Sequence, residues 1–172
     1  MRYIGNTQDD GDKVVHKFNL TKEQLKNVIL DKDITERSEK PVHVGENLDC
    51  IPCDTVLNGG SIDPQGNIYV CNQLQVTGGN VLERSFLDIW RNSDVFKDMR
   101  NIKLVDLAYC GSCDLFEFCT RCPDLALLED GDLCGCSSSA RTVAGVRKEQ
   151  GVYPTQSHIF SKPVDYKGGD EK

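Results

Sequence analysis

Long apolar runs are missing from this 172-residue chain, of which only 38% is hydrophobic. A bilayer-crossing helix needs about 20 consecutive apolar residues; no such run exists, so no membrane association is expected. The opening Met1-Arg2-Tyr3-Ile4-Gly5-Asn6-Thr7-Gln8-Asp9-Asp10 has no apolar core of signal-peptide type. An exported form is therefore not indicated, and a cytoplasmic location is the expectation. Basic blocks are also missing. Twenty Lys plus Arg against 27 Asp plus Glu give a net charge of -7, a poor basis for neutralising phosphates, so nucleic acid is not an expected partner. Histidine is scarce: His16, His43 and His158 lie outside the cysteine-rich stretches without ligand-like spacing, and read as surface or packing residues. The acidic residues are scattered without an evident catalytic pairing and read as solvated. No internal repeat is visible.

What the chain does have is nine cysteines. Exposed free thiols are reactive, so such a number calls for disulfides, zinc or iron–sulfur clusters. Disulfides suit oxidised, secreted proteins, and the odd count fits them poorly. The spacings are Cys50-x2-Cys53, then Cys71, then Cys110-x2-Cys113-x5-Cys119-x2-Cys122, and finally Cys134-x-Cys136. A Cys-x2-Cys turn brings two sulfurs to one metal centre, and three such pairs are a strong metal signal. Four thiolates serve zinc as readily as they serve a cluster. An eight-thiolate set thus implies two zinc ions or two clusters.

The surrounding sequence predicts an α+β domain. Residues 14–20 read as a short extended segment. A helix follows, with Thr21 and Gln24 as a capping box and Leu25, Val28 and Ile29 on one face. Residues 31–48 read as a linker. Residues 59–71 predict a β-hairpin that turns at Asp63-Pro64-Gln65-Gly66, with Ile62 entering and Ile68, Tyr69 and Val70 returning. One helix is expected from Ser85 to Met99, with Phe86, Ile89, Trp90, Phe96 and Met99 apolar; Trp90 reads as core. Pro123 opens a short helix that Gly131 stops. Ser137 to Lys148 predicts a last helix. Residues 149–172 read as a flexible tail.

The string Cys53-x12-Gly66-x4-Cys71, Cys110-x2-Cys113-x5-Cys119, Cys122-Pro123 and a final cysteine resembles the SPASM domain, the C-terminal auxiliary-cluster module of many radical SAM enzymes. Ile62 to Cys71 is similar to that family's hairpin. Gly79-Asn80-Val81-Leu82-Glu83 and Phe86-Leu87-Asp88-Ile89-Trp90 are similar to the segment between its cysteine groups. The likeness covers roughly residues 50–140, and residues 1–30 resemble the last barrel strand and exit linker that precede the module. The expected divisions are 1–48, 49–148 and 149–172.

The resemblance implies a small cluster-stapled fold, with a hairpin, short helices and irregular cysteine-rich loops, holding two 4Fe-4S clusters (two zinc ions being the alternative). Cys53, Cys71 and Cys122, with Cys50 as fourth, would hold the first. Cys110, Cys113, Cys119 and Cys136 would hold the second, with Cys134 as the alternative ligand and otherwise the spare thiol. Two features depart from the family pattern: only Thr120-Arg121 separates Cys119 from Cys122, and Cys50 lies close to Cys53, which leaves the first cluster with three or four protein ligands. The implied role is electron transfer and substrate docking in peptide or protein modification, with a redox partner protein and a separate radical SAM barrel as expected partners. No Cys-x3-Cys-x2-Cys motif is present, and the chain is too short for the barrel, so catalysis by the chain alone is not expected. The rival reading is a zinc-binding structural or protein-interaction module.

Overall fold

The computed structural model describes residues 19–33, 49, 51–53 and 55–154. Residues 14–18 of the expected extended segment, the three histidines, Cys50 and residues 155–172 lie outside that set. Within it the chain is α+β, with short helices around a three-stranded antiparallel sheet.

The first helix, α1 (Lys22–Leu30), starts as its sequence requires. The Thr21 hydroxyl accepts the Gln24 N–H, and the Gln24 side chain accepts the Thr21 N–H, satisfying two donors that a helix start otherwise leaves open. A one-turn helix, α2 (Thr55–Asn58), leads to β1 (Ser61–Ile62) and β2 (Asn67–Tyr69). Ser61 pairs with Tyr69 and Ile62 with Ile68, in the expected hairpin. The Asp63 carboxylate organises the turn by accepting from the Gln65 and Asn67 N–H groups, the Asn67 amide and the Tyr69 hydroxyl at 2.8–3.0 Å. Gly66 sits at φ 86°, where a side chain would be strained.

Two features differ from the sequence expectation. A third strand, β3 (Thr77–Asn80), pairs antiparallel with β2. The helix expected from Ser85 to Met99 is two, α3 (Phe86–Asn92) and α4 (Asp94–Asn101), joined at the extended Ser93. Asn92-Ser93-Asp94 is a run of residue types that favour caps over helix interiors, and Ser93 is at once the end of α3 and the start of α4. Both helices still turn the expected apolar residues inward. Ile89, Trp90, Phe96 and Met99 join Ile68, Val70, Leu74, Val56, Leu57 and Ile51 in the main core. Trp90 also donates from Nε1 to the Gly59 carbonyl at 3.2 Å.

After α4 the chain runs through three 3-10 turns, Leu104–Asp106, Cys110–Ser112 and Phe116–Phe118. Then come α5 (Pro123–Asp130), with Pro123 in its first turn and Gly131 left-handed after its end, and α6 (Ser138–Gln150), capped by Ser137. A separate apolar cluster of Leu25, Ile29, Val146 and Val152 packs α1 against α6. The N-terminal helix is therefore seated on the element that follows the last cysteine.

Phe96 has no solvent exposure and packs against the faces of Gly60 and Gly78. Phe96→Ala should lower stability by about 3–5 kcal/mol, as expected for deleting a fully buried aromatic, read as a drop in the denaturation midpoint.

A candidate iron–sulfur centre

The cysteine block is built from tight turns. The Cys113 N–H donates to the Cys110 carbonyl at 3.2 Å, the Phe116 N–H to the Cys113 carbonyl at 3.1 Å, and the Cys119 N–H to the Phe116 carbonyl at 3.1 Å. In a 3-10 turn residues three apart eclipse, so Cys110 and Cys113 present their thiols on one side. Leu104 and Leu107 are buried beneath them, with Cys110, Phe116 and Cys134 packed alongside.

Cys110, Cys113, Cys119 and Cys136 line a single cavity together with Pro52, Leu104, Leu107, Phe116, Arg121, Ser137 and Ala140. Cys134 does not line it. The reason lies in the loop before α6. The Asp130 carboxylate accepts the Cys136 N–H at 3.0 Å, and the Asp132 carboxylate accepts the Cys134 N–H at 2.8 Å. The Arg121 guanidinium donates to the Gly135 carbonyl from Nε at 3.1 Å and from Nη2 at 2.9 Å, and also to the Leu133 carbonyl. A Cβ at Gly135 would push the Asp130 carboxylate out of this position. Held on both sides, the loop delivers Cys136 to the cavity and leaves Cys134 against Leu104 and Leu107.

Helix α6 braces the same site. Glu129, near the end of α5, accepts from the Ser137 hydroxyl at 3.0 Å, the Ser138 hydroxyl at 2.9 Å, the Ser139 N–H at 3.0 Å and the Ser139 hydroxyl. Further along α6, Arg147 donates to the Phe118 carbonyl at 3.3 Å and the Thr120 hydroxyl at 3.2 Å. The Phe118 ring stacks on Tyr153 with centroids 4.7 Å apart. The helix thus grips the chain on both sides of Cys119.

The electrostatics suit a cation. Burial pushes the Cys119 thiol up to about 12, and the negative charge of Cys110, Cys113 and Cys136 adds to the shift, against a small opposing pull from Arg147. Burial also raises Cys110, Arg121 pulls it down, and Cys136 and Cys113 push it up again. Four neighbouring thiolates therefore need a metal's positive charge to coexist here. The donor set fits an iron–sulfur group, and these four residues would hold it.

The other cysteine set is assembled in part. Cys122 caps the start of α5, where burial raises its thiol, the Leu125 and Asp124 N–H groups lower it, and the charges of Asp124 and neighbouring Cys71 raise it. Cys122 Sγ lies 3.7 Å from Gln73 Oε1, and the Leu74 N–H donates to Cys71 Sγ at 3.4 Å. Cys53 is half-buried on the loop before α2, and Cys50 lies outside the described residues. Among the described residues, no three His, Cys, Asp or Glu side chains converge closely enough to hold a single metal ion.

Residues 50–123 match the family model of SPASM, described as an iron-sulfur cluster-binding domain. This stretch is similar to a SPASM domain.

The SPASM match takes in all three Cys-x2-Cys pairs and Cys71, and ends before Cys134 and Cys136. Among curated proteins, an AdoMet-dependent heme synthase from Methanosarcina barkeri (strain Fusaro / DSM 804) is 33% identical over 67 residues. The aligned stretch is 39% of this chain and 19% of that protein, so the chain spans well under two thirds of its relative. No solved structure matches. Among the described residues, no helix is long and apolar enough to cross a membrane.

The sequence reading missed Arg121, Glu129 and Asp130. A signal for Glu129 was present in the Ser137-Ser138-Ser139 run that starts the next helix, which offers an anion three donors. Arg121 stood as the one cation inside the cysteine block, and only the fold gives it partners.

Burial opposes ionisation of Glu129, but the hydrogen bonds from Ser139, Ser138 and Ser137 outweigh it and hold the carboxyl below its ordinary range. A lowered folded-state pKa contributes stability above the unfolded value and loses it as pH falls through the folded one. As pH falls below the ordinary carboxyl value of 4.5, the thermal midpoint of the wild type should fall more steeply than that of Glu129→Gln, which cannot ionise. Parallel curves would remove Glu129 from the pH dependence.

Proposed function

We propose that the chain is an auxiliary electron-relay and substrate-docking module carrying two 4Fe-4S clusters, working with a radical SAM barrel on a peptide or protein substrate. Cys110, Cys113, Cys119 and Cys136 would hold one cluster. Cys53, Cys71 and Cys122, with Cys50, would hold the other. The convergence of the four cysteines on one cavity carries the reading. The relative's name, an AdoMet-dependent heme synthase, supports a place in S-adenosylmethionine chemistry. A cytoplasmic setting suits such thiol-held groups.

Bound clusters supply one-electron transfer. The polypeptide's part is to hold the two sites side by side. Cys119 and Cys122 belong to different sets yet are three positions apart, and three residues of fully extended chain reach at most about 11 Å. Such closeness favours passage of an electron between the sites. Tyr109 and Arg141 line the cavity and are exposed, giving an approaching substrate or redox protein an aromatic and a cationic contact.

The zinc reading remains the alternative to test. Four thiolates around one zinc at about 2.3 Å would lie only about 3.8 Å apart. A four-iron cluster holds its thiolates farther apart than that, so the metal content distinguishes the two readings.

Anaerobically purified protein should be brown, absorb at about 400 nm and hold roughly eight irons if both sites carry cuboidal clusters. Cys113→Ser should lose about half of that iron and destabilise the fold, because metal binding and folding are linked. Cys134→Ser should keep nearly all of it. A colourless protein with about two zinc ions would overturn the cluster reading, and equal iron loss from both variants would overturn the choice of Cys136 over Cys134.

A further inference from the structure

We propose that Arg121 sets the reduction potential of the cluster held by Cys110, Cys113, Cys119 and Cys136, a role that rests on the cluster reading above. Arg121 is 8% exposed and lines the same cavity as those four cysteines. Two of its guanidinium nitrogens, Nε and Nη2, are spent on the Gly135 and Leu133 carbonyls. The third, Nη1, is buried without a hydrogen-bond partner among the described residues. A buried donor left unsatisfied is costly, and more so in a charged group. An acceptor arriving in the cavity would relieve that cost, and the sulfurs of a thiolate-bound cluster are such acceptors.

The sign of the effect follows from charge. A cluster ligated by four thiolates is anionic and gains one more negative charge on reduction. A fixed cation in a water-poor cavity stabilises the reduced form more than the oxidised one, and so raises the potential; hydrogen bonds to sulfur act in the same direction. Arg121 combines both, because the loop carbonyls hold its planar fork in place. Arg141 also lines the cavity but is exposed, where solvent and salt screen its charge. It serves as an internal control.

The test compares the full chain, reconstituted anaerobically, with Arg121→Gln, Arg121→Met, Arg121→Lys and Arg141→Gln. Iron and sulfide are counted, and the potential is read by redox titration followed by electron paramagnetic resonance. In the cluster they retain, the Gln and Met variants should shift one of the two potentials to a more negative value. Arg121→Lys should retain most of the wild-type potential, and Arg141→Gln nearly all of it. Unchanged potentials in the Gln and Met variants at full iron content would overturn the proposal. So would a Lys variant that shifts as far as Gln, because charge would then not be the lever. Loss of the cluster from the Gln, Met and Lys variants alike would reduce Arg121 to a loop fastener and also overturn it. Failure of the underlying reading looks different: Cys119→Ser would leave both iron content and the resonance signals unchanged, whatever the Arg121 variants do.

Discussion

The closure of the loop at residues 133–136 onto Arg121 and Asp130 is the constraint on which the site depends. Three thiols of the cavity come from one run of tight turns, Cys110 to Cys119, whereas the fourth arrives from beyond α5. Bringing it back costs chain entropy that a lone cysteine cannot repay before a metal binds. The polypeptide meets part of that cost in advance. Arg121 takes the Gly135 and Leu133 carbonyls from one side, and Asp130 takes the Cys136 N–H from the other. Gly135 is the residue that lets Asp130 come so near. The cavity is therefore shaped by ordinary hydrogen bonds before its metal chemistry begins.

Around this clasp, α6 works as a brace in both directions. Its first turn is tied to Glu129 on α5, its last turn through Arg147 to the carbonyl and hydroxyl flanking Cys119, and Val146 with Val152 just beyond its end to Leu25 and Ile29 of α1. The hairpin side is organised differently. There the aromatic and aliphatic residues of α3 and α4 cover the sheet and make a conventional apolar core. Cys71 packs against that core, and it neighbours Cys122 at the start of α5. The Cys71–Cys122 pair is thus the junction between the apolar half of the domain and the cysteine-rich half.

Much of this was legible from residues alone where the signal is local. Thr21 with Gln24, Asp63 to Gly66, Pro123 with Gly131 and Ser137 each mark an element end by chemistry that operates within four or five residues, and each element starts or stops there. The family resemblance puts Cys136 ahead of Cys134 while keeping both as candidates, and of the two it is Cys136 that lines the cavity. What escaped were features decided at long range. Thr77–Asn80 contains two glycines and no apolar alternation, so nothing in it reads as a strand. It is one because Gly78 lets Phe96 lie against it, a Cβ there falling 2.9 Å from the ring. The break at Ser93 is a different case: Asn92-Ser93-Asp94 favours caps locally, but a periodic apolar face runs on through it and masks that signal.

Arg121 illustrates why sites of this kind are read only halfway from sequence. Thiols announce themselves by number and spacing because metal geometry acts on neighbours in the chain. The groups that tune a metal do so through space, and an arginine between two cysteines is indistinguishable in sequence from a solvated surface residue. Burial decides between the two. A guanidinium at the surface would exchange its partners for water at little cost, whereas this one is sealed among the Leu133 and Gly135 carbonyls beside four thiols. The short Thr120-Arg121 spacer follows the same logic. It places the cation within the cavity of Cys119 while the very next residue, Cys122, turns toward Cys71, so a single peptide segment joins the two cysteine groups and brings a charge to one of them.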